Sequence, residues 1–141
     1  MKILNKRAEF DYQIQDTVEA GIVLTGAEAK AIRAKKVDFL GSYVKPIGKE
    51  MFVVNLHIGV EGELDTRKTR KLLLNKKEIL NLGLKLKQQK LTLIPVSLYT
   101  SGRLIKLELG LAKGKKDFEK RASVKQKDIE RDLEEELKDS I

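Results

Sequence analysis

The chain has 141 residues, 41% of them hydrophobic, and a net charge of +8 from 29 Lys and Arg against 21 Asp and Glu. It holds no Cys, no Trp and one His, which excludes a disulfide scaffold, a thiol enzyme and any Cys- or multi-His-ligated metal site. No apolar run has bilayer-spanning length, no signal-peptide stretch follows Met1, and the cationic excess points to nucleic acid before an anionic membrane surface.

In chain order, residues 11–15 and 20–24 read as two short strands. Thr25 then stands three residues before Glu28, a capping-box spacing that predicts a helix over Gly26–Ala34. A strand is expected at 42–47, closed by the turn residues Pro46-Ile47-Gly48-Lys49, with a hairpin partner at 51–58. In that partner Phe52, Val54, Leu56 and Ile58 share one parity, opposite Asn55 and His57. Asn75 and Glu78 repeat the capping box and open a helix over 76–88, where Ile79, Leu82 and Leu86 form an apolar stripe interrupted by Gly83. The apolar run 91–99 is turned back by Thr100-Ser101-Gly102 onto 103–111. There Ile105, Leu107, Leu109 and Leu111 alternate with Lys106, Glu108 and Gly110. The expected fold is mainly β with inserted helices, an OB-like closed antiparallel β-barrel of about six strands over 1–112, followed by a tail over 113–141. Gly110 and Gly114 are read as permitting a bend where the chain leaves the barrel.

Charge separates the same two regions. Residues 1–112 carry the whole net +8, residues 113–127 add +5, and residues 128–141 reverse it with −5. Three basic clusters stand out: Lys6-Arg7, Arg67-Lys68-Thr69-Arg70-Lys71, and Lys113-Gly114-Lys115-Lys116. Such cations neutralise phosphates and release their counterions. RNA is favoured over duplex DNA because no helix-turn-helix or zinc finger is readable. Phe10, Tyr12, Tyr43, Tyr99 and Phe118 could stack on unpaired bases. Tyr99, inside an apolar run, is assigned to the barrel core, whereas Phe10 and Tyr12 lie beside Lys6-Arg7. Catalysis has little to rest on. His57 is expected outward on its strand as a surface hydrogen-bonding residue, without a carboxylate at a triad-like or metal-like spacing. The glycines are too scattered to cradle a phosphate. A binding protein with no cofactor and no metal is expected, in the cytoplasm.

Several stretches, in order from about residue 5 to residue 121, resemble the bacterial SsrA-binding protein family. They are Asn5-Lys6-Arg7-Ala8 with Asp11-Tyr12, Glu19-Ala20-Gly21-Ile22-Val23-Leu24-Thr25-Gly26, Glu28-Ala29-Lys30 with Ile32-Arg33-Ala34, and Gly41-Ser42-Tyr43. To these add Asp65-Thr66-Arg67-Lys68-Thr69-Arg70-Lys71-Leu72-Leu73-Leu74-Asn75-Lys76-Lys77-Glu78 and the stretch Leu109 to Arg121. Each piece alone is weak; in series they are specific. The resemblance implies a monomer that binds the tRNA-like domain of transfer-messenger RNA and escorts it to stalled ribosomes for trans-translation. It implies an RNA-binding face containing Asn5, Lys6, Arg7, Tyr12, Glu19 and Lys106. It also implies a tail facing the decoding centre and messenger channel through Gly114, Lys115, Lys116, Phe118, Lys120 and Arg121. Lys106 falls on the outward parity of its strand, and Glu19 suits an acceptor from a base amino group or an orienter of a cation.

From Ser123 the tail has helix grammar, with Gln126 completing a capping box and Ile129, Leu133 and Leu137 repeating every four residues. Its charge order opposes the helix macrodipole. The expectation is a segment disordered or loosely docked when free and helical on RNA. Two departures from the family stand out: a short acidic loop at Gly59-Val60-Glu61-Gly62-Glu63-Leu64, and the acidic end of the tail, which could meet basic ribosomal proteins or fold back on the body. The alternative reading is a general OB-type single-stranded nucleic-acid-binding protein or a ribosome-associated factor.

Overall fold

The computed structural model describes residues 1–114; the expected tail helix and Lys115, Lys116, Phe118, Lys120 and Arg121 lie outside the described residues. The elements are β1 (Lys2–Leu4), α1 (Ala8–Asp11), β2 (Tyr12–Ile22), α2 (Gly26–Arg33), β3 (Val37–Asp38), β4 (Tyr43–Ile47), β5 (Glu50–Val54), β6 (His57–Ile58), β7 (Arg70–Leu73), α3 (Lys76–Gln89), β8 (Thr92–Ser101) and β9 (Leu104–Gly114). One antiparallel seven-stranded sheet runs β1-β8-β4-β5-β7-β2-β9, and β8 also pairs with β9; β3 and β6 form a separate pair.

Local signals place the helices well. Both capping boxes form: the Thr25 hydroxyl accepts from Glu28 N at 3.1 Å and Glu28 returns an acceptor to Thr25 N at 3.0 Å, while Asn75 and Glu78 exchange the same pair of bonds. Gly48 and Gly102 take the left-handed turns of the two expected hairpins, at φ +63° and +61°. Leu107, Leu109 and Leu111 of β9 meet Leu72, Val53, Leu93 and Leu98 in the main core, all nearly inaccessible.

Three expectations are corrected. The two strands expected at 11–15 and 20–24 are replaced by one eleven-residue strand, β2 (Tyr12–Ile22), which carries a bulge where its pairing with β9 shifts between Ile14 and Asp16. The expected continuous strand 51–58 is broken: Asn55 stands at φ +61°, the left-handed region, so the chain reverses its facing there. Met51 and Val53, not Phe52 and Val54, are buried before the break, and Leu56 and Ile58 after it. Gly110 is no hinge but the middle of β9. A Cβ there would lie 2.8 Å from Val96 Cγ2 and 3.3 Å from Ile14 Cγ2, so close packing requires the missing side chain.

The bulge in β2 has a counterpart in β8, between Pro95 and Ser97. A bulge inserts one residue and so inverts which parity faces inward beyond it. Hence Leu93 and Leu98, five apart, both enter the main core, while Ile94 faces outward with Ala112 and is capped by Ala8 of α1. This second, small cluster, with Tyr12 and Ile14 packed against it, holds α1 on the outer face of β8, β9 and β2.

Candidate nucleic-acid interface

That outer face carries the predicted polar residues. At its α1 end, Asn5 N donates to Val96 O and Asn5 Nδ2 to Pro95 O, both at 2.8 Å, while the Asn5 carbonyl accepts from Ala8 N. Asn5 therefore fastens the chain at the β8 bulge as α1 begins, and part of its donor capacity is spent inside the fold. Lys6 and Arg7 follow on the exposed side. The Arg7 guanidinium lies 5.4 Å from the centroid of the Phe10 ring and its Nε 3.4 Å from Asp11 Oδ2. Asn5, Lys6, Arg7 and Tyr12 all border one concavity of about 590 Å³, closed on its far side by Phe39 and Tyr43. A cationic rim over aromatic and aliphatic walls suits a phosphate and the base attached to it.

At the other end of the face, five β8 residues from Ile94 or roughly 17 Å away, stands Tyr99. It is paired with Lys106 of β9 on one side and Lys2 of β1 on the other. Lys106 is the register partner of Gly21, and Glu19 is that of Glu108, so β2, β9 and β8 bring Glu19, Lys106 and Tyr99 together. Lys106 Nζ donates to Glu19 Oε1 at 2.9 Å. The Tyr99 hydroxyl donates to the same carboxylate and, with Lys106, holds Glu19 below its ordinary value near 4.5. Desolvation and the facing Glu19 carboxylate push the Tyr99 phenol up to about 12. Glu19 and Tyr99 thus each keep one charge state across neutral pH. The tyrosine proton and the lysine ammonium fix the carboxylate's orientation, leaving it aimed as an acceptor for amino or 2′-hydroxyl groups of a nucleic acid.

Tyr99 overturns its assignment to the barrel core: it is half-buried on the outer surface. Periodicity hid it, because the β8 bulge shifts the parity that the run 91–99 suggests. The middle basic cluster is also corrected. Arg70 is buried, with its Nε on Glu28 Oε2 and further bonds to the carbonyls of Leu56, Lys68 and Thr66. Lys68 reaches Glu28 at 3.9 Å, Arg67 reaches Asp38 at 3.9 Å, and Lys71 reaches Glu50 at 3.6 Å. A run of cations that reads as a polyanion site is therefore paired off within the fold, and Arg67 further pins the carbonyls of Leu40 and Asn55. Burial would raise the Glu28 carboxyl, but the Thr25 N–H and the Arg70 guanidinium prevail and hold it low. His57 is half-buried and shares a 2.8 Å hydrogen bond with the Thr66 hydroxyl. Among the described residues no group of His, Asp and Glu is arranged to hold a metal, and no helix is long and apolar enough to cross a membrane.

Comparison with known proteins agrees over the length of the chain. The family model described as "SmpB protein" matches residues 2–139. A protein of Flavobacterium johnsoniae named "SsrA-binding protein" is 45% identical over 140 residues, covering 95% of this chain and 93% of that one. Proteins of the same name from Chloroflexus aggregans and Streptococcus pyogenes are 41% and 42% identical, covering 97% and 95% of this chain and 90% of each relative. Among solved structures, a chain described as "tmRNA-SmpB: a journey to the center of the bacterial ribosome" superposes with a TM-score of 0.69. It is 44% identical and covers 82% of this chain and 85% of that one.

Proposed function

The chain belongs to the SmpB family, and on that premise we propose that it binds the tRNA-like domain of transfer-messenger RNA and delivers it to stalled ribosomes for trans-translation. The observation that carries the reading is the outer face of β2, β9 and β8, where the Glu19–Lys106–Tyr99 cluster and the Asn5–Tyr12 concavity share one surface. The cluster is close to neutral, with Glu19 and Glu108 beside Lys106 and Lys2. It suits directed hydrogen bonds, whereas Lys6 and Arg7 supply the charge that attracts and registers phosphates. A folded RNA that presents unpaired bases beside its backbone fits both demands; a featureless single strand needs only the second.

Finer parts of the reading have their own support. The pairing of β8 with β9, added to the order β8-β4-β5-β7-β2-β9, favours a closed six-strand barrel of OB type. Pairing of Lys113 and Gly114 with β2 carries the body to Gly114, two residues past the expected boundary at 112 and with Gly114 in the sheet; the cations beyond it favour a ribosome-facing tail from residue 115, with Lys115, Lys116, Phe118, Lys120 and Arg121 contacting ribosomal RNA. Binding without catalysis, and a cytoplasmic setting, fit the same role. The test is competition between the tRNA-like RNA and an unstructured RNA of equal length at one salt concentration near physiological. Strong preference for the tRNA-like RNA is expected; equal affinity would replace this function with general single-strand binding.

A further inference from the structure

A second concavity, of about 890 Å³, lies between α3 and the β4–β5 turn. Its walls are apolar: Pro46 and Leu74 face Ile79, Leu80, Gly83 and Leu84. Leu80 and Leu84, one turn apart on α3, are 67% and 49% exposed, an unusual pair for the outside of a helix whose Leu82 is already buried in the core. Lys49, Lys76 and Lys87 stand on its border. The one acid there, Glu50, is engaged by Lys71. Gly83 adds a separate observation. A glycine inside a helix is destabilising relative to alanine, yet a Cβ at Gly83 would meet nothing within 4 Å. Nothing in the described fold uses the space it leaves.

We propose that this groove is the seat of the chain's own segment 128–141. That segment carries −5 against the three lysines of the border, and its Ile129, Leu133 and Leu137 recur every four residues, the spacing of one helix face. Such a face laid along Leu80 and Leu84 buries apolar surface on both partners, and the Gly83 gap lets the two backbones approach closely. Its acids meet the lysines of the border rather than RNA phosphates, which would repel them. The chain can reach. β9 ends at Gly114, beside the start of β8 where Ala112 pairs with Thr92, and α3 ends at Gln89, just before that strand. Residues 115–127 then span up to about 43 Å when extended, more than the width of a body of this size, whose radius of gyration is about 13 Å.

The chain has no cysteine, so Ser140→Cys takes a single nitroxide in the full-length protein without touching groove or apolar stripe. The expected result is loss of the Leu80 and Leu84 methyl signals, with those of Leu104, at the far β8–β9 turn, retained. Gly83→Phe fills the open space and should restore both signals while the core methyls of Leu107 and Leu109 stay in place. Leu133→Glu should restore them too, from the other partner, if the filled helix fails to fold. Retained Leu80 and Leu84 signals, or equal loss at Leu104, would overturn the proposal. So would loss seen when the nitroxide is on a separate, unenriched copy mixed with enriched unlabelled chain, since the occupant is then a second molecule.

Discussion

Two ion pairs in this molecule have the same chemistry and opposite purposes. Glu28 and Arg70 are 4% and 4% exposed, joined directly, and tied by four further bonds: to the carbonyls of Thr66 and Lys68, to that of Leu56 between β5 and β6, and to the α2 cap. Glu19 and Lys106 lie on an open sheet surface, with side chains 52% and 28% exposed, and a tyrosine as their third member. In both, the carboxyl titrates below its ordinary value. Location decides what that means. A buried pair holds elements together because each partner is intolerable without the other, while an exposed pair adds little stability and is available to a ligand.

The largest expected effect breaks the buried member. Arg70→Met strands Glu28 in the interior and should cost about 3–5 kcal/mol of folding free energy, read by urea unfolding. A loss no larger than that of a surface substitution would show that the clamp does not hold the fold. Next, Lys106→Ala should leave unfolding nearly unchanged but weaken the tRNA-like RNA by about 1.5–3 kcal/mol and lower its salt dependence. Equal affinity in mutant and wild type would remove Lys106 from the interface.

Acid sharpens the same contrast. The Glu28 carboxyl is depressed in the fold, so its contribution is fully present above the ordinary value near 4.5 and is lost as pH falls through the lower folded value. Thermal stability should therefore decline on acidification below about pH 4.5, and less steeply in Glu28→Gln, which lacks that titration. RNA binding should show no step from the exposed cluster between about pH 5.5 and 9, since Glu19 titrates lower and Tyr99 at about 12. The smallest effect is expected of Tyr99→Phe. It removes one donor from Glu19, raises that carboxyl's titration toward the ordinary value in a carbon-detected NMR measurement, and weakens RNA by about 0.5–1.5 kcal/mol. An unmoved Glu19 titration would disconnect Tyr99 from the cluster.

Much of this was legible in the sequence because it is local. Thr25 with Glu28 and Asn75 with Glu78 mark both helix starts at three-residue spacing. Leu107, Leu109 and Leu111 mark β9 by simple alternation, and with it the outward place of Lys106. The family resemblance carried by short ordered motifs likewise survives without coordinates, and it put Glu19 and Lys106 on one face, where a carboxylate suits either a base amino group or a nearby cation. Other features depend on residues far apart in the chain. The bulges in β2 and β8 can be placed only once each strand is paired with β9, so Tyr99 looked like core. The Arg67–Lys71 cations looked free until Asp38, Glu28 and Glu50 were brought to them from other elements. Periodicity and capping are written at separations of two to four residues, where the backbone itself enforces them. Register, bulge position and charge pairing are settled by packing across the sheet, so only the tertiary structure decided which cations hold the fold and which face a ligand.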